Sequence, residues 1–370
     1  MSARRVALVS PYALSVFGGV QEQVLAMSRV LCERGNEVLI VAPDSTDDAT
    51  YDTPATVRRF GRRVALPANG SRAPLTLSPV ASRRARDAID AFNPEVVHFH
   101  EPMAPVLGYA ALAAHERASV GTFHRSGDGL ALFFGRIALA RLVARLDVAV
   151  AVSAAAATTL QRTWGLAGDV LYNGFETERF VAFARERTET RTLLFVGRLE
   201  SRKDAATAII AVREHNARRS ATPWRLVVAG DGPERARLEA LVARSPSVVF
   251  VGRVSDEEKR AWLRRCDVVL APSIRGESFG LVLLEAMASE TLVVASDIEG
   301  YRDAAGGHAT LFRPGDAASL ERAISEALDG EDASAIDAGR RYAEQWSMAT
   351  LMDAYDERYD EAVRRFQMTR

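Results

Sequence analysis

Short β-branched runs alternate with longer amphipathic patterns along almost the whole chain. The runs predict strands at Val6–Ser10, Glu37–Ala42, Val57–Phe60, Val96–His100, Val120–Phe123 and Val148–Val152. A second series follows at Thr192–Gly197, Arg225–Ala229, Val248–Val251, Val268–Ala271, Leu292–Ser296 and Thr310–Phe312. These are nearly continuous apolar stretches, the pattern of parallel strands covered on both faces. Segments such as Val20–Arg34 and Ala236–Ala243 carry helical periodicity, and strand–helix alternation of this kind predicts an open parallel sheet. The rhythm breaks around Tyr172–Arg191, where Asn173-Gly174 leads into a charge-rich stretch. Two α/β, Rossmann-like domains are therefore expected, over residues 1–172 and 173–346. A last amphipathic helix, near Ser347–Phe366, has no strand after it and either caps the second domain or crosses back to the first.

A length of 370 residues suits two domains. The formal net charge of −1 gives no global pull toward nucleic acid or membrane, so no nucleic-acid partner is expected. The apolar run Val6–Val9 is too short for a secretory signal. Arg136, Arg141 and Arg145 interrupt the most hydrophobic region, so no spanning helix is expected and the location reads as cytoplasmic. Cys32 and Cys266 sit far apart in apolar patterns and read as buried free thiols.

Candidate chemistry sits where strands end. The first strand leads to Phe17-Gly18-Gly19-Val20-Gln21 at a helix start, where glycines let backbone N–H groups approach an anion. A Gly-Gly pair is also ordinary turn chemistry there, and the GxGxxG spacing of a dehydrogenase is absent. In the second half, Arg275-Gly-Glu277-Ser278-Phe279-Gly280 opens a helix that carries Glu285. Glu277 is expected in the preceding loop and Glu285 about two turns into the helix. The helix start suits an anion, and the two carboxylates suit sugar and ribose hydroxyls. Leu283, Leu284, Ala286 and Met287 flank Glu285, which predicts partial burial. The loop Gly197-Arg198-Leu-Glu-Ser-Arg202-Lys203 offers a bidentate phosphate clamp in Arg198 and a point charge in Lys203. Of 47 basic residues only Lys203 and Lys259 are lysine, which makes both stand out. His98-Phe-His100-Glu-Pro and Thr122-Phe-His124 end strands of the first half. No third ligand has metal spacing, so no metal is expected. His98 and His100 read as hydrogen-bonded walls of a crevice, and His124 as a substrate contact.

Together these segments resemble the retaining glycosyltransferases of family 4, which have the GT-B fold. Within that family the chain looks most like the phosphatidylinositol mannosyltransferases, through Gly18-Gly-Val-Gln21, His100-Glu-Pro-Met-Ala-Pro105, Asn69-Gly-Ser71 and Gly276-Glu-Ser-Phe-Gly280. The resemblance implies two Rossmann-like domains with parallel sheets facing across a cleft. It implies a sugar nucleotide as co-substrate, with GDP-mannose favoured, no tightly bound cofactor, and a phosphatidylinositol-like lipid acceptor. It gives catalytic roles to His124, Arg198, Lys203 and Glu277. The donor would also meet Gly19, Val254, Lys259, Ser278, Phe279, Gly280 and Glu285, and the acceptor would meet Gln21, Asn69, Ser71 and Arg72. Asp204 stands where the family usually has glycine, and Ser289-Glu290-Thr291 replaces its small-x-Gly; the Arg198–Lys203 loop is one residue shorter than in the mannosyltransferases.

Between Ala55 and Arg86 lie eight arginines and no acidic residue. Such a patch attracts anionic lipid or a phosphorylated acceptor, and suggests peripheral contact at the inner face of the plasma membrane through Arg58–Arg86. The alternative substrates are a UDP-sugar and a soluble acceptor such as an inositol phosphate. A sugar-nucleotide-binding protein without activity is disfavoured by the completeness of the catalytic set.

Overall fold

The computed structural model describes residues 3–16, 18–44, 50–62, 64–68, 71–104, 112, 116–124, 136–180, 190–218, 222–242, 245–277 and 279–369, with backbone only at 44, 65–68, 71–73 and 136–138. The chain forms two compact units, Met1–Phe175 with Met348–Arg370, and Glu176–Ser347.

The first unit runs β1 (Arg5–Val9), α1 (Gly19–Glu33), β2 (Glu37–Asp44), β3 (Thr56–Arg62), β4 (Val64–Ala68), β5 (Ser71–Leu75), α2 (Pro79–Phe92), β6 (Val96–His100) and β7 (Ala118–Phe123). It continues through α3 (Arg136–Val143), β8 (Val148–Ala151), α4 (Ala154–Trp164) and β9 (Asp169–Val170). Seven strands make one sheet in the order β3-β2-β1-β6-β7-β8-β9, and every pairing in it is parallel.

The second unit holds β10 (Arg191–Val196), α5 (Ala205–Arg218), β11 (Trp224–Ala229), α6 (Arg235–Val242), β12 (Val248–Gly252), α7 (Asp256–Arg265) and β13 (Val268–Ala271). It closes with α8 (Leu281–Ala288), β14 (Leu292–Ser296), α9 (Glu299–Ala305), β15 (Thr310–Phe312), α10 (Ala317–Asp329) and α11 (Ala333–Glu344). Its sheet has the order β12-β11-β10-β13-β14-β15, again parallel throughout. The final helix α12 (Met348–Met368) belongs to the first unit. This decides between the two placements that its amphipathic pattern left open.

Alternation along β6 and β7 divides the core of the first unit. Val96, Ala118 and Val120 pack with Tyr355 and Tyr359 of α12 on one face. Val97, Phe99 and Phe123 pack with Ala85 and Ile89 of α2 on the other. In the second unit Leu193, Phe195, Leu226 and Val228 join residues of α5 and α10, Ala208, Ile209, Leu320 and Ile324.

The pattern missed the antiparallel hairpin β4–β5, which pairs Ala68 with Ser71. Pro67 and Pro74 break the apolar run there. The usable signal was Asn69-Gly70 between two short segments, a common hairpin turn pair. Those two residues lie outside the described ones, as do Phe17 and Ser278. Cys266 is buried as expected, whereas Cys32 is only half-buried, and both thiols are free.

Candidate active site

In the second unit the strand order reverses between β10 and β13. Connections from neighbouring strands diverge at such a point and leave a crevice at the strands' carboxyl ends, where open α/β sheets take ligands. The two loops there are Gly197–Lys203, ending in a 3₁₀ turn at Ser201–Lys203, and Pro272–Gly280. They are joined by the Ile274 N–H, which donates to the Arg202 carbonyl at 2.9 Å. Gly230 and Gly232 let the chain after β11 lie against the first loop. A Cβ on Gly230 would stand 1.8 Å from the Gly197 carbonyl oxygen, and one on Gly232 2.5 Å from that of Leu199.

The loops bring together three cations and two carboxylates. Glu277 Oε1 lies 2.7 Å from Arg202 Nη1 and 2.7 Å from Lys203 Nζ, and it accepts from Ser273 Oγ at 3.2 Å. Burial raises the Glu277 pKa, but Lys203 and Arg202 outweigh it and hold the carboxyl below its ordinary value. Glu200 is buried between two arginines, with Arg202 Nε donating at 3.1 Å. Arg198 Nη2 stands 3.1 Å from its other oxygen. That contact is not an aligned hydrogen bond, because Oε1 accepts none among the described residues. The cluster thus carries one more cation than carboxylates, and Arg198 is its most exposed cation.

Beneath Glu277, Ser273 Oγ is 2.8 Å from the buried Tyr301 hydroxyl. Gly280 starts α8 at φ 97°, and a Cβ there would meet the Tyr301 ring at 2.6 Å. Among the described residues no side chain caps α8; the Leu283 N–H turns back to the Gly280 carbonyl at 2.9 Å, and the N–H groups ahead of it and the helix dipole favour an anion. The Phe279 ring is buried on Trp346, with centroids 4.9 Å apart, which leaves its backbone as the part able to meet a donor. Glu285 lies one turn into α8, since the helix begins at Leu281; the sequence reading had set it about two turns in. Glu285 is buried and 3.0 Å from the equally buried Lys259 Nζ, so the second conspicuous lysine serves an ion pair. Lys259 also lies over the Phe180 ring at 5.8 Å. Val254 is half-buried just before the Ser255–Glu258 capping box that opens α7.

The first unit supplies a separate constellation. Gly18 is the N-cap of α1, and among the described residues it has no side-chain cap hydrogen bond. The Gln21 side chain is buried and donates to the Ala13 carbonyl at 3.4 Å, tying down the loop before the helix. Ser71 and Arg72 lie on β5, and Asn69 is outside the described residues.

Residues 98 and 100 share a face of β6, and parallel pairing sets His100 beside Thr122. The His98 and His100 rings stack at 4.4 Å, and His100 and His124 at 5.4 Å. His100 Nδ1 lies 3.1 Å from His124 Nε2. His98 Nδ1 meets the Tyr359 hydroxyl at 2.9 Å, and Nε2 meets Thr122 Oγ1 at 2.7 Å. Thr122 in turn meets the Tyr355 hydroxyl at 2.8 Å. The His124 backbone N–H donates to the buried Glu101 carboxylate. Burial pushes His98 and His124 down to about 3, His98 also through the His124 charge. Burial and the two neighbouring rings lower His100 as well. All three imidazoles are neutral near pH 7, so His124 offers hydrogen bonds and no charge. His98 is fully enclosed under α12, not on a crevice wall, because the sheet face it shares with His100 is the one α12 covers.

Glu200, Arg202, Ser273, Tyr301, Gly230, Gly232 and Glu101 entered no sequence-derived role. Gly230-Asp-Gly232 directly after a strand could have flagged a close backbone approach; nothing local marks Tyr301. Of the arginine run, Arg58, Arg59, Arg62, Arg83 and Arg84 are exposed. Arg86 lies 3.7 Å from Asp87 and 4.0 Å from Asp90, acids just past the edge of that run. Among the described residues no three His, Cys, Asp or Glu side chains form a metal-binding group, and no helix is long and apolar enough to cross a membrane.

The family model "Glycosyltransferase Family 4" matches residues 17–179, and "Glycosyl transferases group 1" matches 176–345. A phosphatidyl-myo-inositol mannosyltransferase of Propionibacterium freudenreichii is 32% identical over 360 residues, covering 94% of this chain and 92% of that protein. A glycosyltransferase from Rickettsia africae superposes with a TM-score of 0.76 at 17% identity, over 98% of this chain and 99% of that one. Anabaena HepE in complex with UDP and glucose superposes with a TM-score of 0.73 at 18% identity, over 96% and 99%. With one matched segment per unit and a relative this similar along nearly its whole length, the chain is a glycosyltransferase belonging to family 4, with the GT-B fold.

Proposed function

We propose that the protein transfers mannose from GDP-mannose, with retention at the anomeric carbon, to a phosphatidylinositol-like lipid. The observation that carries this reading is the cluster at the β10/β13 reversal, where Arg198, Arg202, Lys203 and Glu277 meet beside the start of α8. The likeness to phosphatidyl-myo-inositol mannosyltransferases supports the choice of substrates.

Arg198 and Lys203 hold the donor diphosphate, with Gly19 and the N–H groups from Ser278 to Gly280. Glu277 accepts from hydroxyls of the donor sugar, Glu285 from the ribose, and Val254 and Lys259 flank the base. The acceptor hydroxyl attacks on the face from which the nucleotide departs, and the leaving diphosphate oxygen receives its proton. Cations fixed before reaction stabilise that departing charge. His124, neutral, hydrogen-bonds the donor sugar. Gln21, Asn69, Ser71 and Arg72 serve the acceptor, and the exposed arginines of β3 and α2 hold the enzyme to anionic lipid.

Calorimetric titration with GDP, UDP and ADP tests the donor; a preference for UDP refutes GDP-mannose and favours a UDP-sugar. Arg198→Ala and Lys203→Ala are expected to lower turnover by about 100-fold or more. His124→Ala is expected to lower turnover more than nucleotide affinity. Co-sedimentation with anionic vesicles at low and moderate salt tests the lipid surface; no binding at either favours a soluble, phosphorylated acceptor.

A further inference from the structure

The histidine stack does more than fill the space under α12. His124 is gripped twice by one segment. Its backbone N–H donates to Glu101, and its ring Nε2 meets His100 Nδ1 at 3.1 Å. The His100 ring cannot turn away, because it stacks at 4.4 Å on His98, itself held between Tyr359 and Thr122.

Each neutral imidazole carries one N–H. In the His100–His124 contact one ring must donate and the other accept. His100 Nε2 is buried and has no hydrogen-bond partner among the described residues. If His124 donated, His100 would bear its proton on Nε2, a buried N–H with no acceptor among the described residues, the rarer defect in protein interiors. If His100 donates from Nδ1, only a lone pair goes unmatched. The second arrangement is favoured, and it leaves the His124 proton on Nδ1.

We propose that His100 is a positioning residue that fixes both the ring orientation and the tautomer of His124, so that His124 works as a hydrogen-bond donor through Nδ1–H. This rests on the reading that His124 contacts the donor sugar. The ring of His100 itself touches no substrate.

Long-range ¹H–¹⁵N correlation spectra of the full chain, ¹⁵N-labelled at histidine, read the tautomers without any substrate. The expected result is a proton on Nδ1 of both His100 and His124. A His124 proton on Nε2 in the wild type overturns the inference whatever the substrates are. His100→Phe removes the donor and should leave His124 in mixed tautomers, with turnover lowered roughly 10- to 100-fold and the KM for the sugar nucleotide nearly unchanged. His100→Asn places an amide donor near the same point and should recover most of that loss. Wild-type turnover in His100→Phe, or His100→Asn as impaired as His100→Phe, overturns it. Should His100→Phe not fold, the wild-type spectra and His100→Asn still decide. A wrong donor or acceptor defeats the functional reading while leaving the tautomer result standing.

Discussion

Acidification from about pH 7.5 to about pH 5.5 should selectively weaken the first unit. His98, His100 and His124 have their folded-state pKa values pushed below 6.5, to about 3 for His98 and His124. The unfolded chain therefore takes up protons that the folded unit refuses. Their contribution to stability is complete above pH 6.5 and is lost as the pH falls toward the folded values. One withheld proton corresponds to roughly 1.4 kcal/mol per pH unit, so three histidines at about pH 5.5, about one unit below their ordinary value, cost about 4 kcal/mol. That is a large part of the stability of an ordinary domain. Hydrogen exchange by mass spectrometry, corrected for intrinsic pH dependence, reads the opening of β6 and β7 peptides separately from those of β10 and β13. Protection of β6 and β7 should drop about 1000-fold between the two pH values. Unchanged protection there, or imidazoles that titrate near their ordinary value in the folded protein, refutes the reasoning.

Gly230→Ala puts a methyl group on the Gly197 carbonyl and should cost about 3 kcal/mol or more in urea unfolding, together with donor binding; retention of both would mean that the chain after β11 can move freely off the Gly197 loop. Glu290 sits at φ 55°, where a side chain costs about 1–2 kcal/mol. In Glu290→Gly the relieved strain is offset by the greater freedom of unfolded glycine and by the lost side-chain contacts, that to Arg340 at 3.6 Å among them, so stability should change by less than about 1 kcal/mol; a larger loss would show that the side chain of Glu290 outweighs its strain. Glu285→Ala removes the carboxylate 3.0 Å from the buried Lys259, whose other acid, Asp256, stands farther off at 4.0 Å, and should destabilise the second unit by roughly 3–5 kcal/mol, whereas Lys259→Met with Glu285→Leu should come near neutral in stability while losing nucleotide. Equal destabilisation by the single and double changes would contradict that pairing.

Much of the fold was legible because β1, β6, β7, β8, β13 and β14 are short apolar runs buried on both faces, whereas the half-exposed β3 and the two-residue β9 carry a weaker signal. The hairpin β4–β5 was not, since its prolines and alanines carry little strand signal. The meeting of Arg198, Lys203 and Glu277 in one cluster was legible, because residue type and spacing single them out. Their partners were not. Glu200 and Ser273 lie in the same two loops but turn toward the cluster only through how those loops fold, and Tyr301 arrives from α9; no local pattern records either. The residue at the family's loop glycine illustrates the same limit: Asp204 adopts left-handed backbone at φ 46°, so the chain keeps this geometry without the residue that adopts it most easily.

The last helix belongs to the first unit although the whole second unit precedes it in the chain. During synthesis, Val24, Met27, Val96 and Val120 therefore wait with an uncovered apolar face until Tyr355 and Tyr359 have been made. The second unit is continuous and can close as soon as it emerges; the first, though begun earlier, finishes later. A ribosome that stalls before Met348 would release a half-built unit with an exposed sheet face and with His98 lacking its contact to the Tyr359 hydroxyl, a species suited to capture by chaperones. The order of completion is the reverse of the order of translation.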